Sequence, residues 1–189
     1  MICKGGGEYR AITLTEGVDN IVGGAGNDTI TATHTTAKPV LGGLDVVDGG
    51  AGTDTLSIAD TLTAAAADFA LPAGFTVKNV EVLNVTTNGA IGTAAATSFD
   101  VSTLAGLTTA NFVAAGAGTA TGSRVLAAGT TDVSLTVSGA NTAEVYGGKV
   151  VSVTAATGNV TVGVAAAAAT KADAITSVSV KGGGVVAID

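Results

Sequence analysis

Residues 23–31 read GGAGNDTIT and residues 49–57 read GGAGTDTLS, so the chain carries one nine-residue pattern twice. In each copy three glycines precede an aspartate in sixth place and a large aliphatic residue in eighth place. Glycine adopts the backbone angles of a sharp turn at low cost. Alternation of polar and apolar residues in the second half is typical of a short strand with its aliphatic side chain facing inward. The pattern therefore predicts a glycine turn followed directly by a strand.

A weaker copy precedes each full copy. Residues 14–22 read LTEGVDNIV and residues 40–48 read VLGGLDVVD, each with glycine fourth, aspartate sixth and an aliphatic residue eighth. An eight-residue insert, ATHTTAKP at 32–39, separates the two pairs. Two units make one coil of a flattened parallel β-roll, and turns on the same side then stack coil upon coil. Stacked in this way, glycine carbonyls and two aspartates surround one point, an oxygen-only site that suits Ca²⁺ rather than zinc or copper.

The pattern G-G-x-G-x-D-x-aliphatic-x resembles the RTX calcium-binding nonapeptide family over roughly residues 14–57. The resemblance implies a parallel β-roll in which glycine carbonyls and aspartate carboxylates bind Ca²⁺. It implies a best site formed by Gly23, Gly24, Gly26 and Asp28 with Gly49, Gly50, Gly52 and Asp54. It implies a second site on the opposite edge, formed by Gly17 and Asp19 with Gly43 and Asp45.

Two features of the chain leave details of these sites open. Thr15 and Leu41 stand where the second site would have a glycine, so the sequence predicts one or two ions. Asp48 or Asn27 is an alternative ligand, or a solvated turn residue. Asn79 and Glu81 alternate on one strand and are alternative cation ligands, but an exposed strand face is the favoured interpretation.

Charge and composition restrict the partners. The 189 residues contain 8 Lys plus Arg and 15 Asp plus Glu, a net charge of −7 with no clustered basic face, so nucleic acid is not an expected partner. No apolar stretch approaches the ~20 residues of a membrane-spanning helix. The first ten residues, MICKGGGEYR, have no apolar core and are not expected to be a signal peptide. The strand-like pattern at the end of the chain suggests a fragment of a longer polypeptide.

The rest of the chain predicts many short strands. Aromatic residues make up 3% and the apolar residues are small or β-branched, which favours a thin core. The segment 75–87, FTVKNVEVLNVTT, alternates, with Val77, Val80, Val82, Leu83 and Val85 as candidates for the inner face. We expect an all-β protein: a short parallel β-roll of the RTX type over residues 1–60, continuing over 61–189 into a Thr/Ala/Val-rich irregular β-solenoid or elongated β-sandwich. The best candidate for a helix is 61–72.

The order of the segments carries a second resemblance. AGNDTI at 25–30, an insert at 31–47, DGGAGTDTL at 48–56 and NVEVLNVT at 79–86 resemble a block of bacterial S-layer and S-layer-like surface proteins. This implies an extracellular protein of the bacterial cell surface that uses type I secretion. We expect a non-enzymatic calcium-binding structural module of an S-layer lattice or an adhesin, with Ca²⁺ driving folding and assembly. Its expected partners are further copies, other surface proteins or polysaccharide.

No catalytic or organic-cofactor site is predicted. His34, the only histidine, is expected in a solvated loop, and Cys3 has no partner cysteine. The acidic residues after position 58 are widely scattered rather than clustered as in a glycosidase. An array such as Thr29, Thr31 and Thr33 is too short to favour ice binding. The alternative function is an accessory calcium-binding domain of an exported carbohydrate-active enzyme or protease whose catalytic part lies outside this chain.

Overall fold

The computed structural model describes residues 7–61, 68–92, 98–115, 122–139, 142–163 and 175–188, in which every regular element is a β-strand. The strands are β1 (Ala11–Thr13), β2 (Asn20–Gly24), β3 (Thr29–His34), β4 (Val46–Gly50), β5 (Thr55–Asp60), β6 (Thr76–Lys78), β7 (Val82–Thr87), β8 (Phe99–Asp100), β9 (Thr109–Ala114), β10 (Gly122–Ala127), β11 (Asp132–Val137), β12 (Thr142–Gly147), β13 (Val150–Ala155), β14 (Val160–Gly163), β15 (Ser177–Gly182) and β16 (Val186–Ile188). Across these described segments no helix is long and apolar enough to cross a bilayer.

The chain winds as a parallel β-solenoid. All odd-numbered strands form one eight-stranded sheet in the order β1-β3-β5-β7-β9-β11-β13-β15. The even-numbered strands form a three-stranded sheet, β2-β4-β6, and a five-stranded sheet, β16-β14-β12-β10-β8. All strand pairings are parallel, as in β3 with β5 and β5 with β7. The predicted all-β class and the solenoid are confirmed. The β-sandwich alternative is wrong, because such sandwiches are built from antiparallel strands.

Strand alternation builds a thin core from small aliphatic side chains. Ile30 pairs with Leu56 and Leu56 with Leu83 along the eight-stranded sheet, and all three are fully buried. Two residues further along each strand, Ile58 and Val85 repeat this arrangement. Each fully buried aliphatic side chain of this kind stabilises the fold by about 1.5–3 kcal/mol. In these strands the alternation of polar and apolar residues in the sequence thus matches the inner and outer faces of the sheet.

A cluster of three phenylalanines lies further along the solenoid. The Phe69 and Phe99 rings are 5.5 Å apart, and Phe99 meets Phe112 edge-on at 5.7 Å. All three side chains are buried. Three of the six aromatic residues of the chain therefore meet in one part of the core.

Three details differ from the sequence-based expectations or cannot be compared with them. Val80, Leu83 and Val85 are buried as predicted, but Val82 is only half-buried and lies on the outer face, because neighbouring strand residues point to opposite faces. His34 is not in a solvated loop: it ends β3, is half-buried, and its Nδ1 accepts a hydrogen bond from Leu41 N at 3.2 Å. Half of the candidate helix at 61–72 lies outside the described residues, and the other half is not helical: Phe69 instead forms a parallel β-bridge with Ile91.

The eight-stranded sheet crosses residue 60 without a change of topology. β5, which ends at Asp60, pairs on one side with β3 and on the other with β7. The glycine-rich coils and the later coils are therefore wound on the same sheet. Because the register of the strands continues along this sheet, residues at equivalent positions in successive turns are stacked on one another.

Candidate cation site at the stacked turns

The two full copies of the glycine pattern form turns that lie directly on one another. Gly24 pairs with Gly50 before the turns, and Thr29 pairs with Thr55 after them. Gly50 has a φ of 101°, and a Cβ at this position would overlap the carbonyl oxygen of Gly24. Only glycine permits both this backbone angle and this close approach. The structure thus brings together the two turns that carry Gly23, Gly24, Gly26 and Asp28, and Gly49, Gly50, Gly52 and Asp54.

Acidic residues follow one another in the position just before successive strands of the eight-stranded sheet. Asp28 N donates a hydrogen bond to Asp54 Oδ1, and Asp54 N donates one to Glu81 Oε2, both at 2.7 Å. Arg10 N donates in the same way to Asp28 Oδ1 at 2.7 Å. Each carboxylate therefore accepts a hydrogen bond from the backbone of the coil before it. We call Arg10, Asp28, Asp54 and Glu81 the turn column.

One oxygen of each aspartate in this column is buried without a hydrogen-bond partner. Asp28 is 1% exposed and Asp54 is 0% exposed, and neither Asp28 Oδ2 nor Asp54 Oδ2 has a partner. A buried polar atom left in this state costs roughly 1–3 kcal/mol, and more when it is charged. Native proteins rarely retain such atoms without a ligand, ion or water to satisfy them.

Each of these oxygens faces a backbone carbonyl across the first glycine of its own turn. A Cβ on Gly23 would lie 2.6 Å from Asp28 Oδ2 and would overlap Gly49 O. A Cβ on Gly49 would lie 2.7 Å from Asp54 Oδ2 and would overlap Asn79 O. We call the space between Asp28 Oδ2 and Gly49 O the first cradle, and the space between Asp54 Oδ2 and Asn79 O the second cradle. Glycine keeps both cradles free of side-chain atoms.

The electrostatic environment of Asp54 opposes its negative charge. Burial raises the pKa of Asp54 above its usual 3.8, against the lowering effect of the hydrogen bond from Asp28 N. The negative charges of Glu81, Asp28 and Asp48 raise this pKa further. A divalent cation beside Asp54 would reverse this effect, because it favours the ionised carboxylate.

Arg10 places a fixed positive charge at the outer end of the turn column. Its Nη1 donates a hydrogen bond to Gly23 O at 2.5 Å. Gly23 O is the first of three carbonyl oxygens in this part of the stack, followed by Gly49 O and Asn79 O in the next two coils. Gly23 O thus occupies the place in its coil that Gly49 O and Asn79 O occupy in the two cradles. At this first coil the carbonyl already binds a cationic group, the Arg10 guanidinium.

The donor set of the cradles fits a hard cation. Ca²⁺ takes six to eight oxygen ligands from carboxylates, backbone carbonyls and water. No group of three or more His, Cys, Asp or Glu side chains converges to form a metal site within the described ranges. An ion in either cradle would therefore depend on backbone carbonyls and water as well as on the carboxylates of the column.

The opposite edge, predicted as a second site, is arranged differently. Gly43 of this edge also lies close to the next coil, since a Cβ there would be 2.5 Å from Ala73 O. Asp45 accepts hydrogen bonds from Asp19 N at 3.0 Å and from Gly42 N at 2.6 Å, through different oxygens. Asp19 accepts hydrogen bonds from Thr15 N at 2.7 Å and Thr15 Oγ1 at 3.0 Å. All four carboxylate oxygens thus have partners within the protein, and a cation would have to compete with them.

Gly17 of that edge lies in an open part of its turn. The nearest atom to a Cβ at Gly17 would be Thr15 Oγ1, at 3.7 Å. Its backbone N donates to the same hydroxyl at 3.3 Å. The structure therefore brings Asp19 and Asp45 together as predicted, but as members of hydrogen-bonded turns.

The alternative ligands are also engaged elsewhere. Asn27 Oδ1 accepts a hydrogen bond from Thr53 N at 2.9 Å. Asp48 pairs with Lys78 at 2.9 Å and accepts from Asn79 Nδ2 at 2.7 Å. Burial acts to raise the pKa of Asp48, but the hydrogen bonds from Lys78 and Asn79 and the Lys78 charge outweigh it and hold this pKa below its usual value.

Sequence reasoning named Asn79 and Glu81 as alternative cation ligands on one strand, but both lie in the turn between β6 and β7, and it did not place Glu81 and the Asn79 carbonyl next to Asp54. The third turn lacks the glycine pattern, yet Glu81 follows Asp54 by 27 positions, as Asp54 follows Asp28 by 26. Acidic residues recurring at the length of one coil were the available signal. Comparisons of the chain with protein-family models, with curated proteins and with solved structures found no significant match.

Proposed function

We propose that this chain is a calcium-binding structural module of a secreted bacterial surface protein, in which Ca²⁺ in the first cradle locks the glycine-rich coils. The observation that carries the proposal is the pair of buried aspartates, Asp28 and Asp54, each with one oxygen that has no hydrogen-bond partner. A cation would supply the missing partner and offset the repulsion along the turn column.

Calcium binding couples to folding in this proposal. The cradles exist only where two coils are stacked, so the folded form binds the ion and the unfolded chain does not. With a Kd on the order of 10⁻⁴ M and calcium at a few mM, as outside cells, one ion stabilises the fold by roughly 2 kcal/mol. This is a large share of a typical stability of about 5–15 kcal/mol. The low calcium of the cytosol would leave the coils weakly folded until export.

The shape of the molecule supports a structural role. Neighbouring parallel strands lie about 4.8 Å apart, so the eight-stranded sheet is a rod roughly 34 Å long. Its outer face carries small polar side chains in register, such as Ser57, Asn84 and Asn111, joined by hydrogen bonds of 3.2 and 2.9 Å. We propose that such faces contact further copies, other surface proteins or polysaccharide in an S-layer or an adhesin, after export by type I secretion.

The test is calorimetric titration of the protein with Ca²⁺, beside Asp28→Asn. The asparagine keeps an oxygen to accept the hydrogen bond from Arg10 N, and its amide replaces the oxygen that has no partner. We expect Asp28→Asn to lose the tighter binding step. In EGTA we expect it to be at least as stable as the wild type, because its amide can donate to Gly49 O.

Glu16→Gln is the matched control, since it removes one exposed carboxylate from the opposite edge. It should bind Ca²⁺ as the wild type does. Wild-type protein that takes up no Ca²⁺ at millimolar concentration, or an Asp28→Asn variant with unchanged binding, would refute the proposed function.

A further inference from the structure

We infer that the second cradle holds a second Ca²⁺, bound by Asp54 Oδ2, the carbonyl of Asn79 and the carboxylate of Glu81. This inference rests on the proposed function, since it extends the same turn column by one coil. The glycine pattern does not reveal the site, because the third turn reads Asn79, Val80, Glu81 where the second reads GGAGTD.

The two cradles are equivalent in structure. In each, a buried aspartate oxygen without a partner faces a carbonyl of the next coil across a glycine Cα. In each, the next acidic residue of the column approaches from that coil: Asp54 Oδ1 bonds to Asp28 N, and Glu81 Oε2 bonds to Asp54 N. The same chemistry that favours a cation at the first cradle therefore applies at the second.

The short third turn is held in shape without glycine. Asn79 has a φ of 51°, a left-handed conformation that asparagine tolerates better than most residues. Its Nδ2 donates to Asp48 Oδ1 at 2.7 Å, and Lys78 pairs with the other oxygen of Asp48 at 2.9 Å. These contacts fix the side chains away from the cradle and leave the Asn79 carbonyl over Gly49. The longer side chain of Glu81 brings its carboxylate to Asp54 N, as the shorter side chain of Asp54 brings its carboxylate to Asp28 N in the glycine-rich turn.

Asp54 is the residue that a second ion would stabilise most. It is fully buried, and one of its oxygens has no partner. The acidic residues Asp28 and Glu81 lie on either side of it in the column, since Asp54 Oδ1 accepts a hydrogen bond from Asp28 N and Asp54 N donates one to Glu81 Oε2. An ion in the first cradle binds Asp28 Oδ2 and Gly49 O, which leaves Asp54 Oδ2 without a partner and the repulsion between Asp54 and Glu81 without a counter-charge.

The experiment is the count of Ca²⁺ bound, by calorimetry and by native mass spectrometry, for wild type, Glu81→Gln, Asp28→Asn and Glu16→Gln. Gln at 81 keeps an oxygen to accept the hydrogen bond from Asp54 N, so the turn is expected to persist in EGTA. We expect Glu81→Gln to bind one ion fewer than the wild type. Asp28→Asn should also bind one fewer and retain the ion of the second cradle, whereas Glu16→Gln should match the wild type.

The outcomes separate this inference from the proposed function. A Glu81→Gln variant with the wild-type number of ions overturns the inference alone, provided that Asp28→Asn still loses one. Loss of all Ca²⁺ in Asp28→Asn also overturns it, since nothing would then bind at the second cradle by itself. A wild type that binds no Ca²⁺ overturns both. If Glu81→Gln does not fold, the result for Asp28→Asn decides, because its second cradle is intact. An ion retained by this variant supports the inference, and loss of all ions overturns it.

Discussion

Single glycines decide how closely the turns approach one another. A Cβ on Gly49 would overlap the carbonyl oxygen of Asn79 and would come within 2.7 Å of Asp54 Oδ2. A Cβ on Gly17, in the turn of the opposite edge, would be no closer than 3.7 Å to its nearest neighbour. The same residue type therefore has a steric role in one turn and none in the other.

Gly49→Ala should destabilise the protein, because the new methyl group must push two coils apart and also fills the second cradle. We expect a loss of about 1–3 kcal/mol in the free energy of unfolding. Gly17→Ala is the control and should be neutral or slightly stabilising, since it lowers the entropy of the unfolded chain. Urea unfolding of both variants measures the difference. Equal stability of the two would contradict the close stacking of the turns.

Asp68 is a carboxylate whose burial affects stability apart from any cation. It lines a small cleft together with His34 and Asp60, and burial raises its pKa. A raised pKa means that the fold favours the neutral carboxyl. Its contribution to stability is therefore present below pH 3.8, the usual value, and is lost as the pH rises through the raised pKa.

Asp68→Asn should thus stabilise the protein near pH 7 relative to the wild type and make little difference near pH 3. Thermal unfolding across this range, of protein freed of calcium beforehand and kept in calcium-free buffer, measures the effect without contributions from calcium. Glu16→Gln again controls for the loss of one negative charge. A stability difference between Asp68→Asn and wild type that does not grow with pH would contradict the burial of this carboxylate.

At the scale of elements, the turn column changes its chemistry along the sheet. After Glu81 the corresponding positions are occupied by Thr108 and Thr131, whose hydroxyls donate to Glu81 O and Leu107 O, both at 3.0 Å. A threonine hydroxyl satisfies a carbonyl of the neighbouring coil within the protein. The next two coils after Glu81 therefore close with hydrogen bonds between neutral groups, whereas the earlier coils close with carboxylates.

The whole molecule combines these two kinds of coil on one sheet, and this predicts an order of unfolding. Under the proposed function, removal of calcium would restore repulsion between Asp28, Asp54 and Glu81 but leave the later hydroxyl contacts unchanged. Hydrogen exchange in EGTA should therefore show loss of protection first over residues 14–57. Strands β11 and β13, whose inward residues are fully buried, should keep their protection longer.

Exchange in excess calcium is the control for this order. There the glycine-rich coils should be protected nearly as well as β11 and β13. The same exchange rates over 14–57 with and without calcium would contradict the coupling between ion and fold. A uniform loss over the whole chain would show that the solenoid opens as one unit.

Much of the fold was predictable from local sequence, because it depends on local rules. The turn geometry follows from glycine at the approach points such as Gly50, and the inner face from alternation in strands such as β7. Val82 shows the limit of this reasoning, since a run of aliphatic residues does not by itself say which of two neighbours points inward. For the segment after residue 60 the sequence did not distinguish a parallel solenoid from a β-sandwich, because strand partners are set by contacts between distant parts of the chain.

By itself the sequence determined that Asp28 and Asp54, and Asp19 and Asp45, would stack in pairs, because glycine turns recur at the length of one coil. Only the tertiary structure decided that these pairs differ. At one edge backbone N–H groups and the Thr15 hydroxyl satisfy every oxygen of Asp19 and Asp45. At the other edge one oxygen of Asp28 and one of Asp54 have no partner. The tertiary structure also placed Arg10 and Glu81 in the same column. The physical reason is that members of the turn column lie 18 to 27 positions apart in sequence, so no local pattern reveals that they meet, whereas Thr15 and Gly42 lie within four residues of the aspartates to which they donate.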